Sequence, residues 1–272
     1  MQELVELFNY TFVIRALIVG TAISLSAALI GILLVLKKYS MIGHGLGEIG
    51  FASLSLALAF NLPPLYVSIP MVVLASFLIM AFSQKKGASG DVVIAIVSTG
   101  ALTFGVIITA ITKGFNIDVY NYMFGSILAI TNQDLILSII LCVIVVVAYI
   151  IYYNRLFLIT YDEEYAKTTG INVTYYQLII SLATALIIVI GMRLMGTLLI
   201  SSLIVFPAII SKKITTSFKG LVIVSGIVSV VCFVIGIFVS FYMNLPAGAS
   251  IVAVNIILLI ITTVTNKIIK VN

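Results

Sequence analysis

The one histidine in this 272-residue chain is His44, and Glu48 follows it four residues later in Met41-Ile42-Gly43-His44-Gly45-Leu46-Gly47-Glu48-Ile49-Gly50. On a helix, residues at i and i+4 share a face with Cβ atoms roughly 5–6 Å apart, so an imidazole and a carboxylate there can grip one cation or each other. Strongly apolar sequence follows Glu48, and an ionisable side chain inside a membrane is costly enough to mark a functional site by default. Spacing alone leaves two readings open: a cation-contacting pair, or a hydrogen bond at the cytoplasmic end of a helix. Gly43, Gly45, Gly47 and Gly50 add that the backbone here is either irregular or closely packed, as in sites between broken helices.

A second polar island is Tyr161-Asp162-Glu163-Glu164-Tyr165-Ala166-Lys167-Thr168-Thr169-Gly170-Ile171-Asn172-Val173. Carboxylates favour the start of a helix and glycine its end, so Asp162, Glu163 and Glu164 open a short helix that Gly170 closes. A short, capped, polar helix between apolar segments suits docking to a soluble partner, although a solvated linker would have the same pattern.

Other chemistry is excluded by counting. No lysine follows a glycine, so the Gly-Lys of a phosphate-binding loop is missing. Any drive by ATP must come from another subunit. A single histidine rules out metalloprotease and histidine-triad sites. Cys142 and Cys232 lie within apolar runs and read as small packing side chains. No intrinsic cofactor is expected.

The elements that position these residues follow from composition. Apolar residues make up 62% of the chain and charged residues 8%, against roughly 45–50% and about 25% in soluble domains. A bilayer core about 30 Å thick absorbs about 20 apolar residues per crossing. The chain therefore reads as an all-α, polytopic membrane protein of about eight or nine transmembrane helices, forming a single domain over 1–272. The first apolar run lacks the basic flank and cleavage site of a signal peptide and is expected to stay as a membrane helix. Cutting the long charge-free stretches at Asn61-Leu62-Pro63-Pro64 and Asn244-Leu245-Pro246-Ala247-Gly248 leaves nine spans, because proline cannot donate a backbone hydrogen bond. They lie near 12–36, 41–60, 65–83, 91–112, 135–153, 177–193, 195–211, 219–242 and 247–266. With the segment 155–176 placed in the cytoplasm, 11 of the 14 Lys and Arg fall inside, and only Arg15, Lys113 and Arg193 fall outside. The positive-inside rule then sets the N-terminus outside and the C-terminus inside. The net charge of +5 is thus a topology signal, and no nucleic-acid partner is expected.

Three further features refine the layout. Val119 to Gln133 is too short and too interrupted for a comfortable span and reads as a re-entrant or partial helix near the outer face, with an ordinary external loop lying on the bilayer as the alternative. Gly20, Ser24, Ala27, Ala28 and Gly31 form a small-residue stripe that predicts close helix packing. Tyr149, Tyr152, Tyr153 and Tyr161 read as interfacial anchors in a chain without Trp.

Several motifs resemble one family from end to end, roughly Phe12 to Ile261. They are Arg15-Ala16-Leu17; Leu36-Lys37-Lys38-Tyr39-Ser40-Met41-Ile42-Gly43; Asp91-Val92-Val93-Ile94-Ala95-Ile96; and Phe124-Gly125-Ser126-Ile127-Leu128 with Asp134-Leu135. Arg193-Leu194-Met195-Gly196-Thr197-Leu198-Leu199, Pro207-Ala208 and Asn244-Leu245-Pro246-Ala247-Gly248 complete the set. In order and spacing they resemble the membrane permease of zinc/manganese-type ATP-binding-cassette importers, which is distantly similar to the vitamin B12 and iron-siderophore permeases. The resemblance implies a multi-pass protein of a prokaryotic plasma or inner membrane. It implies a permease homodimer working with two ABC ATPase subunits that bind ATP, fed from outside by a metal-binding lipoprotein. It also implies that Asp162, Glu163, Glu164, Ala166 and Gly170 belong to the cytoplasmic coupling segment, and that a divalent transition metal (zinc, manganese or iron) is carried.

The family usually reads Ile-Gly-Asp-Ala-Leu-Ser-His where this chain has Ile42-Gly43-His44-Gly45-Leu46-Gly47-Glu48. The four-residue spacing is kept while imidazole and carboxylate exchange places, and the proline that commonly follows is missing. A permease for a metal chelate or another small substrate is the alternative that this exchange suggests. An ion-coupled secondary transporter fits less well, since neither an inverted repeat nor enough embedded charge is visible.

Overall fold

The computed structural model describes residues 11–83, 90–112 and 132–269. Ten helices fill them: α1 (Thr11–Leu36), α2 (Ile42–Ala59), α3 (Pro64–Ser83), α4 (Gly90–Thr112), α5 (Asn132–Tyr161), α6 (Glu163–Thr168), α7 (Val173–Met195), α8 (Thr197–Ile214), α9 (Phe218–Met243) and α10 (Ala247–Ile269). All but α6 are long and apolar enough to cross a membrane, nine among the described residues. The anticipated re-entrant segment over 119–133 lies outside the described residues, except that Asn132 and Gln133 open α5.

Local chemistry sets the helix ends. Ser217 accepts a hydrogen bond from the Gly220 N–H at 3.1 Å and Asn172 one from the Tyr175 N–H at 3.2 Å, each satisfying a donor that the first turn leaves unpaired. Both Asn-Leu-Pro turns use the same device. Asn61 and Asn244 sit at φ +53° and +52°, a left-handed conformation that asparagine tolerates better than most residues. The next residue's N–H then returns to the helix, from Leu62 to the Ala57 carbonyl and from Leu245 to that of Ser240.

Two boundaries differ from expectation by more than one helical turn. α5 runs to Tyr161 instead of stopping near 153, and α7 starts at Val173 instead of 177. Aromatic packing carries α5 past its apolar stretch: Tyr153, Phe157 and Tyr161 all pack on Phe218 of α9, and Tyr152 meets Tyr176 edge-on at 5.5 Å. Arg155, midway along this extension, donates to the Tyr176 hydroxyl and lies over its ring. Tyr149, expected at the lipid interface, is 4% exposed and belongs to the core.

The small-residue stripe of α1 packs as its spacing predicts. A Cβ on Gly20 would overlap the Phe233 ring of α9, and one on Gly31 would overlap the Ile204 carbonyl of α8. Between these contacts Ser229 of α9 donates to the Ser24 carbonyl at 2.8 Å. Dispersion between closely approaching backbones drives such association where lipid is as apolar as the side chains.

Candidate functional site

α2 carries the histidine and is enclosed by neighbours on one side after another. Gly43 faces α8, where its Cβ would lie 3.2 Å from Ile204 and 3.3 Å from the Ser201 backbone. Gly47 faces Thr197 at 3.3 Å on the same helix. On the α4 side a Cβ at Gly45 would overlap the Ile94 side chain, and one at Gly105 would lie 2.9 Å from the Ala52 backbone. Toward α3, Ser53 bonds to Ser68 at 2.7 Å. The glycines therefore serve close packing along a regular helix, and of the two readings of the glycine run the irregular backbone is not the one found.

Every residue from Ile42 to Ala59 is buried or half-buried except His44. His44 Nε2 lies 3.2 Å from Glu48 Oε1, with the two side chains 51% and 19% exposed. The fourth side of α2 is thus open only where the imidazole and carboxylate stand together. Among the described residues no third His, Cys, Asp or Glu joins them. One chain offers two ligand groups and leaves the remaining coordination positions of a cation to other donors.

The α6 region divides the remaining predicted residues into different jobs. Asp162 caps the helix by accepting from the Tyr165 N–H at 2.9 Å. Ala166 is fully buried and packs with Ile159, Val173 and Tyr176 into a small cluster of its own. Gly170 ends the segment at φ +80°, which favours glycine. Glu163 turns inward: its Oε1 pairs with Lys167 at 3.0 Å, while Oε2 meets Lys37 at 3.4 Å and accepts from Gln177 Nε2 at 3.1 Å. Burial alone would push its pKa up, but the Lys167 hydrogen bond and the charges of Lys37 and Lys167 outweigh it and hold the carboxyl below its ordinary value. Burial pulls the Lys37 ammonium down, and Glu163 only partly restores it. Glu164, Tyr165, Lys167 and Thr168 face outward.

The sequence marks Lys37 only as a topology charge within a family motif and Gln177 not at all, and no local signal shows either as a partner of Glu163. Lys37 lies 126 positions from Glu163. The contact sets the turn after α1 and helix α6 on the same side of the bundle, as alternation of the spans requires.

Comparison with known proteins gives a consistent set. The family model described as the ABC 3 transport family matches residues 9–266. The chain is 29% identical over 246 residues to the high-affinity zinc uptake system membrane protein ZnuB of Buchnera aphidicola subsp. Acyrthosiphon pisum, covering 90% of this chain and 94% of that one. It is 25% identical to the manganese import system permease protein ScaB of Streptococcus gordonii, covering 96% and 94%. The fold superposes on a chain of PsaBC from Streptococcus pneumoniae, solved in complex with Fab, with a TM-score of 0.82 at 24% identity, over 94% of this chain and 92% of that one.

Proposed function

The chain belongs to the ABC 3 transport family, and from that premise we propose that it is the membrane permease subunit of an ATP-driven importer that carries a divalent transition metal ion (zinc, manganese or iron) into the cell. The observation that carries the metal reading is the opening of α2 at His44 and Glu48 alone. An imidazole nitrogen and a carboxylate oxygen are ligands that zinc and manganese accept. Two copies about a dimer axis would supply two nitrogens and two carboxylates, a set that binds without a cage of thiolates and so can release. The metal is substrate here, held briefly along a path and not retained.

In this reading the ATP is bound and hydrolysed by a partner subunit, in keeping with a sequence that has no Gly-Lys. A metal-binding lipoprotein delivers the ion from outside, and the path alternates between outward-facing and inward-facing states. The segment from Asp162 to Gly170 docks on the ATPase subunit, with the N-terminus of the chain outside and the C-terminus inside. An altered order of the two ligands still leaves both on one helix face, so the exchange alters which group lies nearer the helix start and not the donor set.

The test is the metal content of cells, by elemental analysis, with and without this subunit and with His44→Ala or Glu48→Ala in its place. Loss of one metal in the deletion and in both variants, with membrane insertion and ATPase association intact, is expected. Normal accumulation in the double variant would overturn the metal reading.

A further inference from the structure

Besides the packing of Ala166, Glu163 fastens α6 to the membrane helices through ion pairing and hydrogen bonding, and its partner Lys37 stands at the head of the turn that leads into α2. Lys37 keeps only 10% of its side chain exposed, so its charge depends on the carboxylate beside it. Removing one member of such a pair leaves an uncompensated buried charge. Gln177 of α7 shares the same carboxylate oxygen. One side chain of α6 thus grips α1 and α7 together.

The turn from Lys37 to Met41 is not slack. Lys38 is held at φ +63°, a conformation that is unfavourable for a non-glycine residue and persists only where its surroundings impose it. The Lys38 N–H bonds to the Val35 carbonyl at 3.2 Å, the Tyr39 N–H to that of Leu34 at 2.8 Å, and the Ile42 N–H to that of Tyr39 at 3.2 Å. The turn is also clasped to α4. The Tyr39 ring occupies the space that a side chain at Gly90 would need, and the Met41 N–H donates to Asp91 Oδ1 at 3.3 Å. α4 in turn presses Ile94 against Gly45, next to His44.

We propose that the Lys37–Glu163 pair is the link through which displacement of α6 reaches the His44–Glu48 face, by way of the stiff 37–41 turn and its hold on α4. The inference rests on the reading of α6 as the ATPase-docking segment. Glu163 and Lys37 are positioning residues in this scheme: they touch neither nucleotide nor metal. Coupling between distant sites needs an element whose position both sites bias, and a strained turn bonded at both ends can serve as one because it moves as a unit.

The experiment is uptake by the whole importer, permease with its ATPase subunit and lipoprotein, in proteoliposomes, read as metal ions entered per ATP hydrolysed. Lys37→Met removes the charge while keeping apolar bulk in the buried position, so the protein should insert and retain its ATPase subunit. Its uptake per ATP is expected to fall about tenfold, on the scale of measured coupling effects. Lys37→Arg should restore most of the loss. Lys37→Met combined with Glu163→Gln should be no worse than the more severe of the two single variants, since both cut one link. An unchanged ratio in Lys37→Met, or losses that multiply in the double variant, would overturn the proposal. So would loss of the ATPase subunit from purified Lys37→Met complexes, which would make the pair a docking contact. Failure of the unaltered importer to couple uptake to ATP is a different result: it would remove the permease reading on which this one stands.

Discussion

Among the described residues two pairs of oppositely ionisable side chains stand four residues apart on a helix, His44 with Glu48 and Glu163 with Lys167, at 3.2 and 3.0 Å. Their spacing and separation are nearly the same, and their surroundings are opposite. Around Glu163 two more groups, Lys37 and Gln177, use up the second carboxylate oxygen. Around His44 and Glu48 three sides of α2 are covered by glycine contacts, aliphatic side chains and the neutral residues Ser201 and Thr197, and among the described residues no further His, Cys, Asp or Glu joins the pair. A satisfied carboxylate fixes structure, whereas an imidazole–carboxylate pair with capacity to spare is the candidate for a site. The i,i+4 spacing alone does not distinguish the two cases. What fills the space around each pair does.

The largest effect that would break this contrast is on transport. His44→Ala or Glu48→Ala should lower metal uptake by about 100-fold or more, as loss of a direct ligand exceeds the 10–100-fold typical of outer-shell changes. Co-purification of the ATPase subunit should be unaltered. Uptake that falls no further than in Glu163→Gln would erase the distinction between an open pair and a closed one.

Next in size is the packing that leaves α2 open on one side only. Gly45→Ala drives a Cβ into the branched Ile94 side chain, which cannot swing away as an unbranched tip could. Overpacking of this kind costs about 1–3 kcal/mol, readable as a lower midpoint of thermal unfolding in detergent. Gly100→Ala is the control. Nothing lies within 4 Å of that position on the exposed face of α4, and alanine gains about 1 kcal/mol of helix propensity over glycine. Equal midpoints for the two variants would mean that α2 is not held as closely as its glycines indicate.

How much of this could be read from the sequence depends on how local the cause is. The nine spans were legible because lipid demands long apolar runs and because two Asn-Leu-Pro turns cut the ambiguous ones. The α6 helix was legible from an aspartate cap and a glycine stop eight residues apart. The His44–Glu48 pair was legible from helical spacing. What escaped was decided by distant neighbours. Glu163 and Glu164 look alike in sequence, yet one turns into Lys37 from 126 positions away and the other faces out. The overrun of α5 past Arg155 depended on Phe218, which opens α9, four helices further along. The meaning of the glycine run depended on Ile94, Thr197 and Ile204.

The adjacent glutamates give the third way to sharpen the contrast. Glu164→Lys reverses a charge on the outward face of α6 and should weaken retention of the ATPase subunit about three- to tenfold, mostly by slowing association, as exposed interface charges do. Unfolding of the isolated permease should not shift, because Glu164 holds no ion pair among the described residues. A stability loss in the isolated permease, with retention unchanged, would exchange the roles assigned to the two glutamates.

The smallest effect concerns the neutral bonds between membrane helices. Ser53 and Ser68 join α2 to α3 at 2.7 Å, and Ser53 also donates to the Gly50 carbonyl of its own helix at 2.6 Å. A hydroxyl with a local carbonyl within reach loses little when its distant partner is removed. Hydrogen bonds between membrane helices average about 0.6 kcal/mol for the same reason. Ser68→Ala should therefore lower the unfolding midpoint by about 2 °C or less, well under the shift from Gly45→Ala. A larger shift from the serine would mean that polar contacts hold α2 in place. His44 and Glu48 would then be two more members of a structural polar network, and their openness would lose its functional meaning.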